Sequence, residues 1–234
     1  MTSDQRWLAE TWPFVQAALP PAPAEVLEIG CGPLGGFVPA LLNSGYNAAG
    51  VDPEAPDAPA YHRCEFERYH LSRPVSALIA CTSLHHVADL DVVLDKMAAA
   101  LAPGGVAVVV EWARERFDAA TAQWCFARLT AATPDAEAGW LHRRRDEHAS
   151  SGQPWDAYCR SWAEQEGLHT GERIVRGLDA RFARLSCAYG PYYFADLAGT
   201  SAADEQAAID AGRIQANAIR YTAVQRALTS RTDG

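Results

Sequence analysis

Between residues 24 and 112 the chain alternates short, almost wholly apolar runs with longer stretches of helical periodicity. "EVLEIG" (25–30), "SALIAC" (76–81) and the β-branched "VAVVVEW" (106–112) read as strands buried on both faces, because no polar alternation marks a solvent side. "NAAGVD" (47–52) is a further strand run ending in an acid, and "YHRCEF" (61–66) is another strand. "GFVPALLNSG" (36–45) and "DLDVVLDKMAAALAPGG" (89–105) carry helical spacing and run into glycine. This alternation predicts an α/β chain with a parallel sheet covered by helices on both faces.

The flanks follow a different pattern. Residues 2–23 read as two short helical pieces, because Pro13 is tolerated in a first turn but not in a helix interior, with Thr11 as the second N-cap. Beyond Arg116 the spacing predicts a helix over 117–132, irregular chain over 133–154, an amphipathic helix from Trp155 to Gly167, and two strands at 180–189 and 217–226. The link between those strands is longer than a hairpin needs and includes a helical stretch at 201–215. The chain is read as one compact unit: a helical cap (1–23), a ligand-binding core (24–112), a helical insertion (113–167) and closing strands (168–234).

Charge narrows the partners. The net charge is −9 and Lys96 is the sole lysine, which excludes a broad phosphate-binding surface and hence nucleic acid. "HRRRDEH" (142–148), the one dense basic run, is followed by acids and reads as a solvated loop or helix face. No apolar span is long enough for a membrane, no leader is recognised, and the six cysteines form no C-x-x-C pair; a reduced, cytoplasmic protein is expected.

The chemistry concentrates where the first strand ends. Gly30, Gly32 and Gly35 fit G-x-G-x-x-G between strand and helix, and Asp52 closes the next strand, placed to accept hydrogen bonds from a ribose. Glu28 and Pro33 argue against a dinucleotide, since one sets an anion beside the pyrophosphate site and the other removes an amide donor. S-adenosylmethionine (SAM) has no phosphate and carries an ammonium and a sulfonium, which an acid at the turn suits directly or through water.

With "VLEIGCG", "GVDPE", "ALIACTSLHHVADL" and "LAPGGVAVVVEW" in this order, residues 24–112 resemble the class I SAM-dependent methyltransferases. Within them the chain is similar to the small-molecule branch of ubiquinone and menaquinone biosynthetic methyltransferases (methyltransferase type 11-like). The resemblance implies a Rossmann-like, mostly parallel seven-stranded sheet with an antiparallel last strand and a helical lid. It implies SAM as cofactor and S-adenosylhomocysteine (SAH) as product, held by Glu28, Gly30, Cys31, Gly32, Asp52, Pro53 and Cys81. Glu65 and Phe66 match the positions that hold the adenine, with Glu in place of the more usual Asp.

His85, His86 and Glu111 fall at the carboxyl ends of the fourth and fifth strands and are the catalytic candidates, either histidine serving as base where the acceptor must lose a proton. Alternatively one histidine fixes its loop, and Glu111 binds the acceptor, caps a helix or pairs with Arg114. Asp89 reads as a helix N-cap and no metal is expected. Trp112, Trp140, His142, Tyr158 and Tyr192 are the substrate-binding candidates, and if several face one pocket they indicate an aromatic or otherwise apolar acceptor. The partner is then a small molecule, with a homodimer left open. Three competing readings remain: a SAM-binding enzyme of cyclisation or rearrangement, a noncatalytic SAM-binding protein, and a nicotinamide oxidoreductase.

Overall fold

A computed structural model describes residues 1–130 and 139–226. Seven strands, β1 (Glu25–Ile29), β2 (Asn47–Val51), β3 (Tyr61–His62), β4 (Val75–Cys81), β5 (Leu101–Trp112), β6 (Phe182–Gly190) and β7 (Ala218–Gln225), form one sheet in the order β3-β2-β1-β4-β5-β7-β6. The first five pair in parallel, and β7 runs antiparallel to both β5 and β6. The strand order reverses between β1 and β4, where Ile29 lies beside Ala80, and open α/β sheets bind ligands outside the carboxyl ends at such a point.

Alternate residues of the central strands feed opposite cores, as the pleat requires. Leu27, Leu78, Ala80 and Val109 pack under α3 (Leu90–Ala100) and α7 (Gly171–Arg181). Val26, Ala77, Ile79 and Val108 face α1 (Ser3–Ala18) and α2 (Val38–Asn43), whose Val15 and Leu41 are fully buried. A third cluster, around Trp112, Phe117, Trp155 and Tyr193, is built by α4 (Ala119–Phe126), α5 (Trp140–Ser151) and α6 (Trp155–Gln165). The helix between the last strands is α8 (Ala202–Asp210).

Five local expectations are corrected. The N-terminal region is a single helix, capped by Thr2 in a capping box with Gln5 rather than by Thr11. Pro13 sits on its exposed side, where the carbonyl it leaves unbonded can be hydrated, and Trp12 stacks on Phe37 with ring centroids 6.0 Å apart to offset the lost bond. The third strand is only two residues long. The helix expected over 89–105 stops at Ala100, and residues 101–105 already belong to β5. Residues 140–151, read as irregular, form α5, and α7 had no counterpart in the sequence reading. Part of the stretch read as irregular, 133–138, lies outside the described residues.

Among the described residues no helix is long and apolar enough to cross a membrane, and no group of three His, Cys, Asp or Glu side chains could hold a metal ion. All six cysteines are free. Asp89 caps α3, its carboxylate accepting the N–H groups of Asp91 and Val92 at 3.1 and 3.2 Å. The basic run lies along α5, where Arg144 pairs with Glu147 at 3.0 Å and covers the Trp162 ring.

Candidate active site

A cavity of about 270 Å³ opens at the switch point. Its floor is the loop after β1 and the end of β4, with Glu28, Gly30, Cys31, Gly32, Cys81 and Thr82. Its roof is assembled from three distant segments: Trp7 of α1, Trp140 of α5, and Tyr192 and Asp196 of the loop before α8.

The glycines of the loop have different duties. A Cβ on Gly30 would stand 2.2 Å from Cβ of Ser83, one on Gly35 would strike the Tyr61 hydroxyl, and one on Gly36 would strike the Glu28 carboxyl. Those three let chain segments touch. Gly32, at φ +63° with nothing within 4 Å of its Cβ position, faces open space and leaves its backbone accessible to a ligand. Thr82 also holds a positive φ, +52°, which is strained for a β-branched residue, and it lies on the cavity wall.

Three buried glutamates fix the loops that bound the cavity. Glu28 accepts the Phe37 N–H at 2.7 Å and so ties the glycine loop to β1. Burial pushes its carboxyl up to about 8, against the lowering effect of the Phe37 and Val38 amides, and the nearby Asp52 charge adds to the rise. Glu111, with no exposed surface, accepts the N–H groups of Ser83 at 2.7 Å, Leu84 at 2.5 Å and Trp112 at 3.1 Å, while its other contact is His85 Nδ1 at 2.6 Å. Desolvation alone would raise the Glu111 carboxyl, but His85 and the amides outweigh it and hold it below the usual range. Glu205 accepts the N–H groups of Tyr192 at 2.8 Å and Phe194 at 2.6 Å, setting the loop that carries Tyr192 and Asp196.

The candidates divide by position. Glu28, Gly30, Cys31, Gly32 and Cys81 converge on the cavity with Trp140 and Tyr192. Asp52 ends β2 outside it, its Oδ1 accepting the Glu54 N–H at 2.7 Å, which orients the carboxylate. Pro53 and Glu65 are exposed, Glu65 pairing with Arg68 at 3.1 Å, and the Phe66 side chain is buried in the core beneath Lys96. His85 is buried against Glu111, and His86 is exposed with its ring 4.1 Å from His85; neither lines the cavity. Partial desolvation where its ring packs on His85, and the charge of His85, lower the His86 pKa.

Glu111 is directed into the protein and does not pair with Arg114, whose Nε donates to the carbonyls of Leu168 and His169. Trp112 stands behind the roof, stacked on Tyr192 at 6.0 Å and donating to the Tyr193 hydroxyl at 2.9 Å. His142 bonds the Thr130 carbonyl at 2.9 Å and Tyr158 donates to Glu147 at 3.0 Å, both away from the cavity. Sequence reasoning missed Thr82, Glu205 and Asp196. Only Asp196 had a local signal, an acid two residues beyond the aromatic run "YYF".

Solved structures of similar fold include an S-adenosylmethionine-dependent methyltransferase from Mesorhizobium loti (18% identity, 92% of this chain and 97% of that one, TM-score 0.54). A second is the 1,6-didemethyltoxoflavin-N1-methyltransferase of Burkholderia thailandensis, with 1,6-didemethyltoxoflavin and SAH bound (15%, 96% and 79%, 0.53). A third is the geranyl diphosphate C-methyltransferase of Streptomyces coelicolor, with Mg2+, geranyl diphosphate and SAH (15%, 95% and 80%, 0.56). At these identities the likeness is one of fold. No curated protein matches the chain. The family described as "Methyltransferase domain" matches residues 5–160, well over half of the sequence and including the whole floor of the cavity; the chain belongs to that family.

Proposed function

We propose that the protein transfers a methyl group from SAM to a small molecule, with SAH as the other product, in the small-molecule branch of the family. The observation that supports it is the two-sided cavity: a glycine loop and an acid on one wall, an aromatic roof on the other, at the switch point of the sheet. The residues present fit this cofactor. Glu28 suits an ammonium and would repel a pyrophosphate, Gly32 leaves room for close approach, and Asp52 is oriented for a pair of ribose hydroxyls.

When bound, SAM supplies an electrophilic methyl group. The chain's own contribution is positioning and exclusion of water. Glu28 on the cavity floor and Asp52 just outside it would hold the cofactor, while Trp7, Trp140 and Tyr192 cover the cavity and would confine the acceptor. Glu111, held by His85, acts from behind, fixing the backbone of Ser83 and Leu84 and with them the strained Thr82 on the cavity wall.

Calorimetric titration with SAM, SAH and NAD tests the reading. Micromolar binding of both sulfur ligands and none of NAD supports it, and an acceptor screen for SAH release then follows; absence of SAM and SAH binding refutes it. In the same assay Asp52→Ala is expected to weaken SAM at least tenfold, on the scale of charged hydrogen bonds worth about 1.5–3 kcal/mol. Unchanged affinity removes Asp52 from the site.

Glu28 gives a second, pH-linked expectation. Its folded pKa of about 8 lies above its unfolded value, so the folded state keeps a proton that the unfolded state loses. Stability from this group is therefore complete at low pH and falls as pH rises toward 8, by up to about 1.4 kcal/mol per unit. A cationic ligand beside Glu28 reverses the preference and expels the proton. SAM binding at neutral pH is expected to release up to one proton, read as a dependence of the calorimetric enthalpy on buffer, and Glu28→Gln to abolish that dependence. A buffer-independent enthalpy in the parent protein would show that Glu28 does not sense the ligand.

A further inference from the structure

We propose that the acceptor is an amine on an aromatic or alicyclic body, its ammonium held by Asp196; this rests on the cavity being a methyltransferase site. Trp7, Trp140 and Tyr192 line the cavity, and aromatic faces attract cations as well as apolar rings. Its wall carries three carboxyl groups, Asp4, Glu28 and Asp196, and no Lys, Arg or His. Arg6, on the same helix as Trp7, is directed elsewhere, its guanidinium donating to the carbonyls of Phe194, Ala195, Leu197 and Thr200 at 2.8–3.4 Å.

Two of the acids are at opposite ends. Glu28, on β1 beneath the glycine loop, is on the cofactor side, and Asp196 belongs to the roof. Trp140 Nε1 donates to Asp196 Oδ2 at 2.9 Å, so the carboxylate and the indole form one preorganised unit. Around Asp196 stand Ser3, which hydrogen-bonds it, Asp4 from α1, Tyr192, Cys125 of α4 and Glu205 from α8, and Arg6 acts on it only through its charge, its guanidinium being taken up by the backbone carbonyls. Such a wall favours an ammonium, accepts a neutral isostere weakly and repels a carboxylate or phosphate.

The chemistry balances with Asp196 as proton acceptor. An ammonium has no lone pair, so one proton passes first to the carboxylate. The freed nitrogen pair then forms the bond to the methyl carbon while the carbon–sulfur bond breaks and its pair remains on sulfur. The products are a methylated ammonium and a neutral thioether. Partial burial holds the Asp196 carboxyl above the ordinary range, opposed by the Trp140 N–H, and eases that first transfer.

The test uses the full chain with SAH bound and reads tryptophan fluorescence. Three matched sets of ligands, with phenyl, cyclohexyl and linear alkyl bodies, each present a primary amine, an alcohol and a carboxylate. The expected result is an amine bound about tenfold more tightly than its alcohol and more tightly still than its carboxylate, the scale of one charged hydrogen bond. Asp196→Asn should erase the amine preference and leave the alcohol unchanged. An alcohol or carboxylate bound as well as the amine, or no amine bound at millimolar concentration, overturns the proposal. The ranking in the parent protein decides it even if the variant does not fold. SAH binding, measured first, separates this outcome from failure of the methyltransferase reading.

Discussion

Glu111→Ala is expected to destabilise the protein by about 3–5 kcal/mol, a large share of the roughly 5–15 kcal/mol that holds a domain together. The carboxylate has no exposed surface and serves three backbone donors and one imidazole. Its removal leaves the N–H groups of Ser83, Leu84 and Trp112 buried without a partner, each costing about 1–3 kcal/mol unless the loop opens to water. Opening the loop moves Thr82, so ligand binding falls together with stability. Urea unfolding of the variant measures the first effect and SAH titration the second.

The same residue sets an acid limit. Because its folded pKa lies below the unfolded value, its stabilisation is complete above about 4.5 and is lost as pH falls through the folded pKa. Glu111→Gln should show a flatter acid limb than the parent. A loss below about 1 kcal/mol for the alanine variant would mean that the loop after β4 is anchored by other contacts.

Gly30→Ala carries the second large effect, about 3 kcal/mol. A positive φ costs an L-residue about 1–2 kcal/mol, and forcing a methyl group into the Ser83 side chain adds about 1–3 kcal/mol. Ser83→Gly in the same background should restore the steric part and leave the φ part. Gly32→Ala makes the contrast: its methyl meets nothing in the protein, so stability should fall only by the conformational cost, about 1 kcal/mol. Its effect on SAM affinity should instead be the larger of the two, relative to the stability lost. If Gly32→Ala binds SAM normally, the ligand does not approach the loop at that residue.

How far the chain could be read from its letters differs from segment to segment. β1, β4 and β5 announce themselves because a strand buried on both faces needs an unbroken apolar run, and "VLEI", "ALIAC" and "VAVVV" supply it. The N-terminal helix was divided at Pro13 because local propensity cannot register that α1 lays Trp7, Trp12 and Val15 against Phe37 and the sheet. α5 was hidden for a related reason: "WLHRRRDEHASS" is polar on nearly every face and shows no clear apolar stripe, with Leu141 as its one buried residue. Packing, not periodicity, makes both of them helices.

The sequence by itself determined the strand–turn–helix with its glycines, the acid closing β2 and the strand–helix alternation that makes the sheet parallel, since each depends on residues near one another in the chain. The tertiary structure alone decided which side chains meet. Glu28, Glu111 and Glu205 are distant in sequence, yet each became a buried acceptor for the backbone of a loop at one cavity, because strand order and the return of the chain before α8 bring those loops together. The same convergence turned Glu111 inward to His85 and placed Asp196 beside Trp140. A carboxylate's duty is set by the donors within about 3 Å of it, and those donors come from parts of the chain that only folding brings into reach.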